Sequence, residues 1–250
     1  MVIPEISGVM TMNAGDIVKL TYNLWIVEQD KETLFDTTDE NFAKENGIYD
    51  PERKYGPEIY IIGKKMLLES VEKQIMNAEV GKEYDIILEP KDAYGERNPN
   101  LVKVVSMREF EKNKITPEIG KFVTINGQRG KVVNVTPGRV LVDFNHPLAG
   151  KKLHYKVTVK EIVEGLENKV LAIIEMAYGK DMDQFKVKEL EDHIEIKLAE
   201  SCKYRNEWFT SKYYIVGTLR DYTQKDIYFI EVYEGKKEEE KKEESTVVQQ

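Results

Sequence analysis

The side chains that most often make and break covalent bonds are sparse in this chain. Its histidines are His146, His154 and His193, and none has a cysteine or second histidine at the spacing that would hold zinc. Cys202 is the single cysteine, so no intrachain disulfide forms and a reducing compartment is the natural home. No G-x-S-x-G elbow supports a serine nucleophile, and Gly56, Gly63, Gly81 and Gly95 fit no phosphate-binding spacing. Neither a metal nor a cofactor is expected. What the sequence supplies instead is aromatic and aliphatic lining from separated stretches, which acts on a ligand by excluding water rather than by attacking it.

The stretch from Ile59 to Gly95 must position much of that lining. It reads as a strand ending at Gly63, a helix of about three turns, a Val-Gly turn, a second strand and a loop carrying Tyr94. Leu67, Leu68, Val71 and Ile75 share one helical face, while Glu69, Glu72, Lys73 and Gln74 take the other. Tyr84, Ile86 and Leu88 alternate with Asp85, Ile87 and Glu89, which offers a sheet face for the helix to cover. Upstream, Val18, Leu20, Tyr22, Leu24 and Ile26 lie on one side of a strand spanning Asp16 to Val27. In the short strand from Thr33 to Thr38, Phe35 and Asp36 face opposite ways unless the backbone bends. Asp39 to Pro57 is expected to be a long loop. Downstream, Leu153, Tyr155, Val157 and Val159 alternate with polar residues, and this strand must close the sheet begun by Val18 to Ile26.

The order of these pieces carries a resemblance. A strand, Gly63-Lys64, a short apolar helix, Val80-Gly81-Lys82, a strand and Ala93-Tyr94-Gly95 follow Phe35-Asp36 and precede a distant Asn145-His-Pro-Leu-Ala-Gly-Lys. This resembles the FKBP-type peptidyl-prolyl cis-trans isomerases, and within them the SlyD-like group, in a long, archaeal-like form. The resemblance implies that Tyr22, Phe35, Asp36, Tyr60, Leu67, Leu68, Val71, Tyr94 and Tyr155 form a proline-binding site. It further implies that the Leu68 N–H, placed in the first helical turn where donors lack partners, receives a substrate carbonyl oxygen. The Tyr94 hydroxyl is then the second donor and Asp36 the carboxylate near the twisted carbonyl. Two departures are visible: Val71 stands where the family often has a floor tryptophan, and the first aromatic after the long loop falls near Glu58 and Tyr60. A roomier floor and a modest or shifted activity are implied.

The implied reaction needs no nucleophile. Rotation about X-Pro interrupts amide resonance across a barrier of ~18–20 kcal/mol, and the planar amide is more charge-separated than the twisted one. A dry cup therefore favours the twisted form relative to water, and each ~1.4 kcal/mol removed is a tenfold gain in rate.

After Gly95 the polar run from Glu96 to Asn100 marks a boundary. Leu101 to Val105 reads as a strand, Ser106 with Glu109 as a capping box, and Phe122–Ile125, Lys131–Val135 and Val140–Phe144 as antiparallel strands around Asn-Gly and Pro-Gly turns. Beyond a polar link at Gly165–Asn168, Val170–Ala177 reads as a strand, Ile194–Leu198 as a strand, and Trp208, Tyr213, Val216 and Leu219 as helical spacing before an apolar run at Ile227–Tyr233. The aromatic residues there, among them Tyr204, Phe209, Tyr213 and Tyr233, either fill a small core or meet a second copy of the chain.

The expected fold class is α+β: an FKBP-like antiparallel sheet wrapped on a short helix, an inserted mainly-β domain and a C-terminal α+β domain. Its expected divisions are 1–96 with 146–164 for a discontinuous isomerase domain, 97–145 for an insert-in-flap chaperone domain, 165–235 for the C-terminal domain, and 236–250 for a charged, disordered tail. The expected partners are proline-containing peptides, unfolded polypeptides and, through the C-terminal domain, a second copy. A net charge of −8 argues against nucleic acid, although Lys121, Arg129, Lys131 and Arg139 could touch phosphates, and no run approaches the ~20 apolar residues of a membrane span. The expectation is a cytoplasmic isomerase with chaperone activity, the alternative a non-catalytic holdase with a decayed pocket.

Overall fold

The computed structural model describes residues 12–29 and 31–234, in two compact units that divide between Val163 and Glu164. The segment 236–250, read from sequence as a charged tail, lies outside the described residues.

The first unit is built around β1 (Ile17–Glu28). Along one edge β1 pairs antiparallel with β3 (Glu58–Ile61) and then with β2 (Lys31–Thr37). Along the other it pairs with β9 (Lys152–Ile162), whose far side holds β4 (Glu83–Leu88). The period of two survives across the sheet: Leu20, Tyr22 and Leu24 face Val159, Val157 and Tyr155, while Tyr155 and Leu153 face Ile86 and Leu88. On that apolar face lies α2 (Glu69–Ile75), which buries Val71 and Ile75. The opposite face is polar, with Thr21 beside Thr158 and Asn23 beside Lys156.

Several local expectations are corrected here. The helix is two turns rather than three, because Lys65 adopts φ +56° and Leu68 is extended at φ −58°, ψ 134°; Leu67 precedes the helix and Leu68 is its N-cap. The expected loop from Asp39 to Pro57 contains α1 (Glu40–Glu45), started by the Asp39 side chain accepting the Phe42 N–H. That helix buries only Ala43, so it has too little apolar periodicity to announce itself.

Between β4 and β9 the chain forms a second sheet of β5 (Val102–Ser106), β8 (Arg139–Asp143), β7 (Gln128–Thr136) and β6 (Phe122–Ile125), in that order and all antiparallel. The short α3 (Met107–Lys112) inserts Phe110 into its core beside Val123, Ile125, Val132, Val140 and Val142. Ser106 is the N-cap of α3, but its side chain makes no capping bond, so the expected capping box is not closed. Gly130 is required by space: a Cβ there would lie 2.6 Å from Val142 Cγ1 and 2.8 Å from Phe144 Cδ1.

In the second unit the expected strand at Val170–Ala177 is instead α4 (Leu166–Ala177). A continuous apolar run hides its period, and Val170, Ile173 and Ile174 also satisfy the i, i+3, i+4 spacing of a buried helix face. The expected link at Gly165–Asn168 is the start of this helix, with Gly165 at φ +78° as its N-cap. A three-stranded sheet follows, with β10 (Lys186–Glu189) antiparallel to β11 (His193–Lys197) and β12 (Asp226–Ile230) parallel to it. α5 (Asn206–Thr223) buries Trp208, Ile215 and Leu219, whereas Tyr213, expected on that face, is 87% exposed. Trp208 centres an aromatic core, its ring 5.4 Å from Tyr178, 5.7 Å from Phe185 and 5.8 Å from Phe229. Tyr204, Phe209, Tyr214, Tyr228 and Tyr233 remain exposed.

Candidate active site

Where α2 meets the sheet, a cavity of about 320 Å³ opens. β1 turns Tyr22 into it between Leu20 and Leu24, and β9 brings Tyr155, whose ring lies 6.2 Å from that of Tyr22 at a tilt of 55°. β3 supplies Tyr60, the turn before α2 supplies Leu67 and Leu68, the helix supplies Val71, and the loop after β4 supplies Tyr94.

Phe35 and Asp36 reach the same cavity through an irregularity. Leu24 stands opposite Asp36, but Trp25 stands opposite Leu34, so Phe35 is the extra residue of a bulge. The bend lets neighbours that would point to opposite faces line one hollow. All nine sequence-predicted site residues therefore border a single cavity.

The rim is polar and ordered. Asp36 accepts the Tyr22 hydroxyl at 2.8 Å and the Thr37 N–H at 2.8 Å, and it is ion-paired with Arg53. Arg53 also reaches Glu58 at 2.7 Å and the Tyr22 oxygen at 3.3 Å, while the Tyr60 hydroxyl donates to Glu58 at 2.6 Å. Burial opposes the Arg53 charge, yet its bonds to Asp36, Glu58 and Tyr22 more than offset this and raise its pKa. Desolvation is the first cause that pushes the hydroxyls of Tyr22, Tyr60 and Tyr155 above the usual tyrosine range. For Tyr22 and Tyr60 the nearby carboxylates add to it, and for Tyr155 the Tyr94 hydroxyl does. At the foot of α2 the Leu68 carbonyl accepts the N–H groups of Val71 and Glu72, both at 2.9 Å, whereas the Leu68 N–H has no partner among the described residues.

Sequence reasoning missed several members. Met66, His146, Pro147 and Leu148 also line the cavity, and the His146 ring stacks on Tyr94 at 3.9 Å and 5°. Burial lowers the His146 pKa. The Asn145-to-Lys151 motif was the available signal for this segment. Arg53 was hidden in the supposed surface loop, and its only mark in the sequence is a cation between two acidic residues on strands that share β1. A larger hollow of about 450 Å³ on the outer face of the sheet is walled by Asn23, Glu83, Lys156 and Thr158, a wet lining suited to no apolar ring.

Among the described residues no group of three or more His, Cys, Asp or Glu is placed to hold a metal ion, and no helix is long and apolar enough to cross a membrane. Residues 103–148 match the family model described as FKBP26, IF domain, and residues 166–234 match the one described as FKBP26_C-terminal. Over 148 residues, 59% of this chain and 92% of the relative, the sequence is 36% identical to a short-type peptidyl-prolyl cis-trans isomerase of Methanocaldococcus jannaschii. It is 34% identical over 116 residues, 44% of this chain and 77% of the relative, to the FKBP-type 16 kDa peptidyl-prolyl cis-trans isomerase of Escherichia coli K12. A third relative, the FKBP-type isomerase SlyD of Treponema pallidum, is 33% identical over 119 residues, 46% of this chain and 67% of its own length. With an aromatic cup in its first unit, an inserted sheet within that unit and a further unit after it in sequence, the chain belongs to the FKBP-type peptidyl-prolyl cis-trans isomerases.

Proposed function

We propose that the cavity takes up a proline ring and speeds rotation about the preceding peptide bond, while the sheet between β4 and β9 holds unfolded chains for it. The observation that carries this reading is the convergence of Tyr22, Phe35, Tyr60, Val71, Tyr94 and Tyr155 on one hollow whose charged groups are tied up at the rim. Such a cup strips water from the planar, charge-separated amide and so narrows its advantage over the twisted one. In this reading the free Leu68 N–H takes a substrate carbonyl oxygen, with the Tyr94 hydroxyl as second donor. Asp36, fixed by Tyr22 and Arg53, presents a carboxylate beside the carbonyl that turns.

Residues 97–145 are the client-holding domain in this reading. Its two connecting segments are tied to each other, since Arg97 pairs with Asp143 at 2.6 Å and the Asn98 N–H donates to Asn145 at 2.8 Å, and just outside them Tyr94 and His146, which line the cup, stack on one another. A tethered client meets the cavity at high effective concentration, so a roomy floor at Val71 is tolerable. The second unit, with Tyr204, Tyr213 and Tyr233 at 74, 87 and 67% exposed, pairs two chains, and a single cysteine suits the cytoplasm.

The test is turnover of a short proline peptide by the parent and by Asp36→Ala, Tyr94→Phe and Tyr155→Ala, alongside a chain lacking Pro99 to Asn145. The substitutions should each lower peptide turnover. The deletion should spare it and sharply slow refolding of a proline-limited protein; equal loss in both assays would remove the division of labour.

A further inference from the structure

Charge is segregated in this molecule. Between residues 97 and 145 there are nine Lys and Arg against four Asp and Glu, in a chain whose net charge is −8. Of the nine cations only Arg97 has an ion-pair partner, Asp143, among the described residues; the other eight are all exposed.

The strand register decides where some of them point. Phe122 faces Lys131, Thr124 faces Arg129, Lys131 faces Asp143 and Leu141 faces Val104. Directly opposed residues share a face, as do residues two apart on one strand, so Val104, Phe122, Arg129, Lys131, Arg139 and Leu141 stand on one side of the sheet. Val123, Ile125, Val132, Val140 and Val142 take the other side and are buried with Phe110. On the outer side Val104 is 64% and Phe122 45% exposed, and Val133 adds 42% at an irregularity in the β7 pairing. Arg129 lies 4.8 Å from the Phe122 ring centre. Asp143 is the acidic residue on this face, and it is neutralised by Arg97.

We propose that this outer face selects unfolded polypeptide segments in which acidic residues alternate with apolar ones, a selection that rests on the client-holding role assigned to the insert above. The aliphatic and aromatic side chains give contact area, and unpaired cations between them require carboxylates rather than ammonium groups from the client. Polypeptide is favoured over nucleic acid because Val104 and Leu141 add aliphatic surface to the face that a phosphate backbone leaves uncovered.

The probes are three fluorescein-labelled, proline-free peptides of equal length, with Leu and Val alternating with Glu, Gln or Lys, titrated against the full chain at low and high salt. The Glu peptide should bind about tenfold more tightly than the Gln peptide at low salt, and the Lys peptide more weakly than either, with the differences shrinking at high salt. Arg129→Glu with Lys131→Glu should reverse the order while leaving proline-peptide turnover and thermal midpoint unchanged. Equal affinity for all three peptides overturns the charge selection and leaves the client-holding role intact. Binding of none removes that role as well. A single-stranded oligonucleotide that binds more tightly than the Glu peptide and is lost in the same double variant overturns the polypeptide assignment.

Discussion

Replacing Leu68 with proline isolates one hydrogen-bond donor with little collateral change. Leu68 has φ −58°, within the range the pyrrolidine ring enforces, so the backbone is already in place. Its carbonyl, which accepts from Val71 and Glu72 at the start of α2, is kept. Its N–H, which has no partner among the described residues, is lost, so the fold forfeits no hydrogen bond. The half-buried side chain is trimmed, and Leu68→Ala trims it while retaining the N–H, which makes it the proper reference. A donor that meets the substrate carbonyl in a water-poor cup is worth about 1–2 kcal/mol net, or roughly a 5- to 30-fold loss of kcat/KM beyond that of Leu68→Ala. The assay is turnover of a short proline peptide, followed by exchange between its cis and trans forms, with thermal midpoints to confirm that both variants fold. If Leu68→Pro and Leu68→Ala lose the same activity at comparable stability, the N–H does not touch the substrate and the placement of the peptide in the cup is wrong.

Four further outcomes are expected. Arg53→Leu leaves Asp36 and Glu58 without their shared cation; with these side chains about a third exposed, the loss is at the low end for charged hydrogen bonds, about 1–2 kcal/mol, and a double-mutant cycle with Glu58→Gln should show coupling rather than additivity. Peptide turnover should stay flat from pH 7 to about pH 10, because burial holds Tyr22, Tyr60 and Tyr155 above their ordinary pKa of 10.0. On the acid side, His146 has a pKa depressed below 6.5, so the unfolded chain binds its proton first; thermal stability should fall as pH drops from 6.5 through the folded value, by less in His146→Phe. Gly130→Ala forces Val142 and Phe144 apart and should loosen the inserted sheet, seen as lost protection of its amides from exchange, while short-peptide turnover is unchanged.

How much could be read in advance follows from what each residue depends on. Alternation along β1, β4 and β9 is a property of the strand itself, so Tyr22 and Tyr155 could be aimed inward from sequence and are found there. The meeting of Phe35 and Asp36 depends on a bulge against Leu24 and Trp25, which no local pattern encodes. The two-turn length of α2 is set by a positive φ at Lys65, a lysine rather than the glycine that would have flagged it. Arg53 matters only because its loop folds back over strands whose pairing is itself tertiary. In the second unit the continuous apolar run of α4 satisfies strand and helix equally, and Tyr213 is exposed because it lies five residues, about 140° round α5, from Trp208 on the buried face with Ile215 and Leu219.

The chain departs for the inserted sheet and comes back almost at the same point, since the Asn98 N–H reaches the Asn145 side chain at 2.8 Å. Adjacent ends of this kind make the intervening stretch a replaceable cassette: a short turn could span them, and so could a domain of unrelated shape whose own termini lie side by side. One isomerase sheet can thus be refitted with different capture modules, each changing which polymers arrive without rebuilding the cup that acts on them.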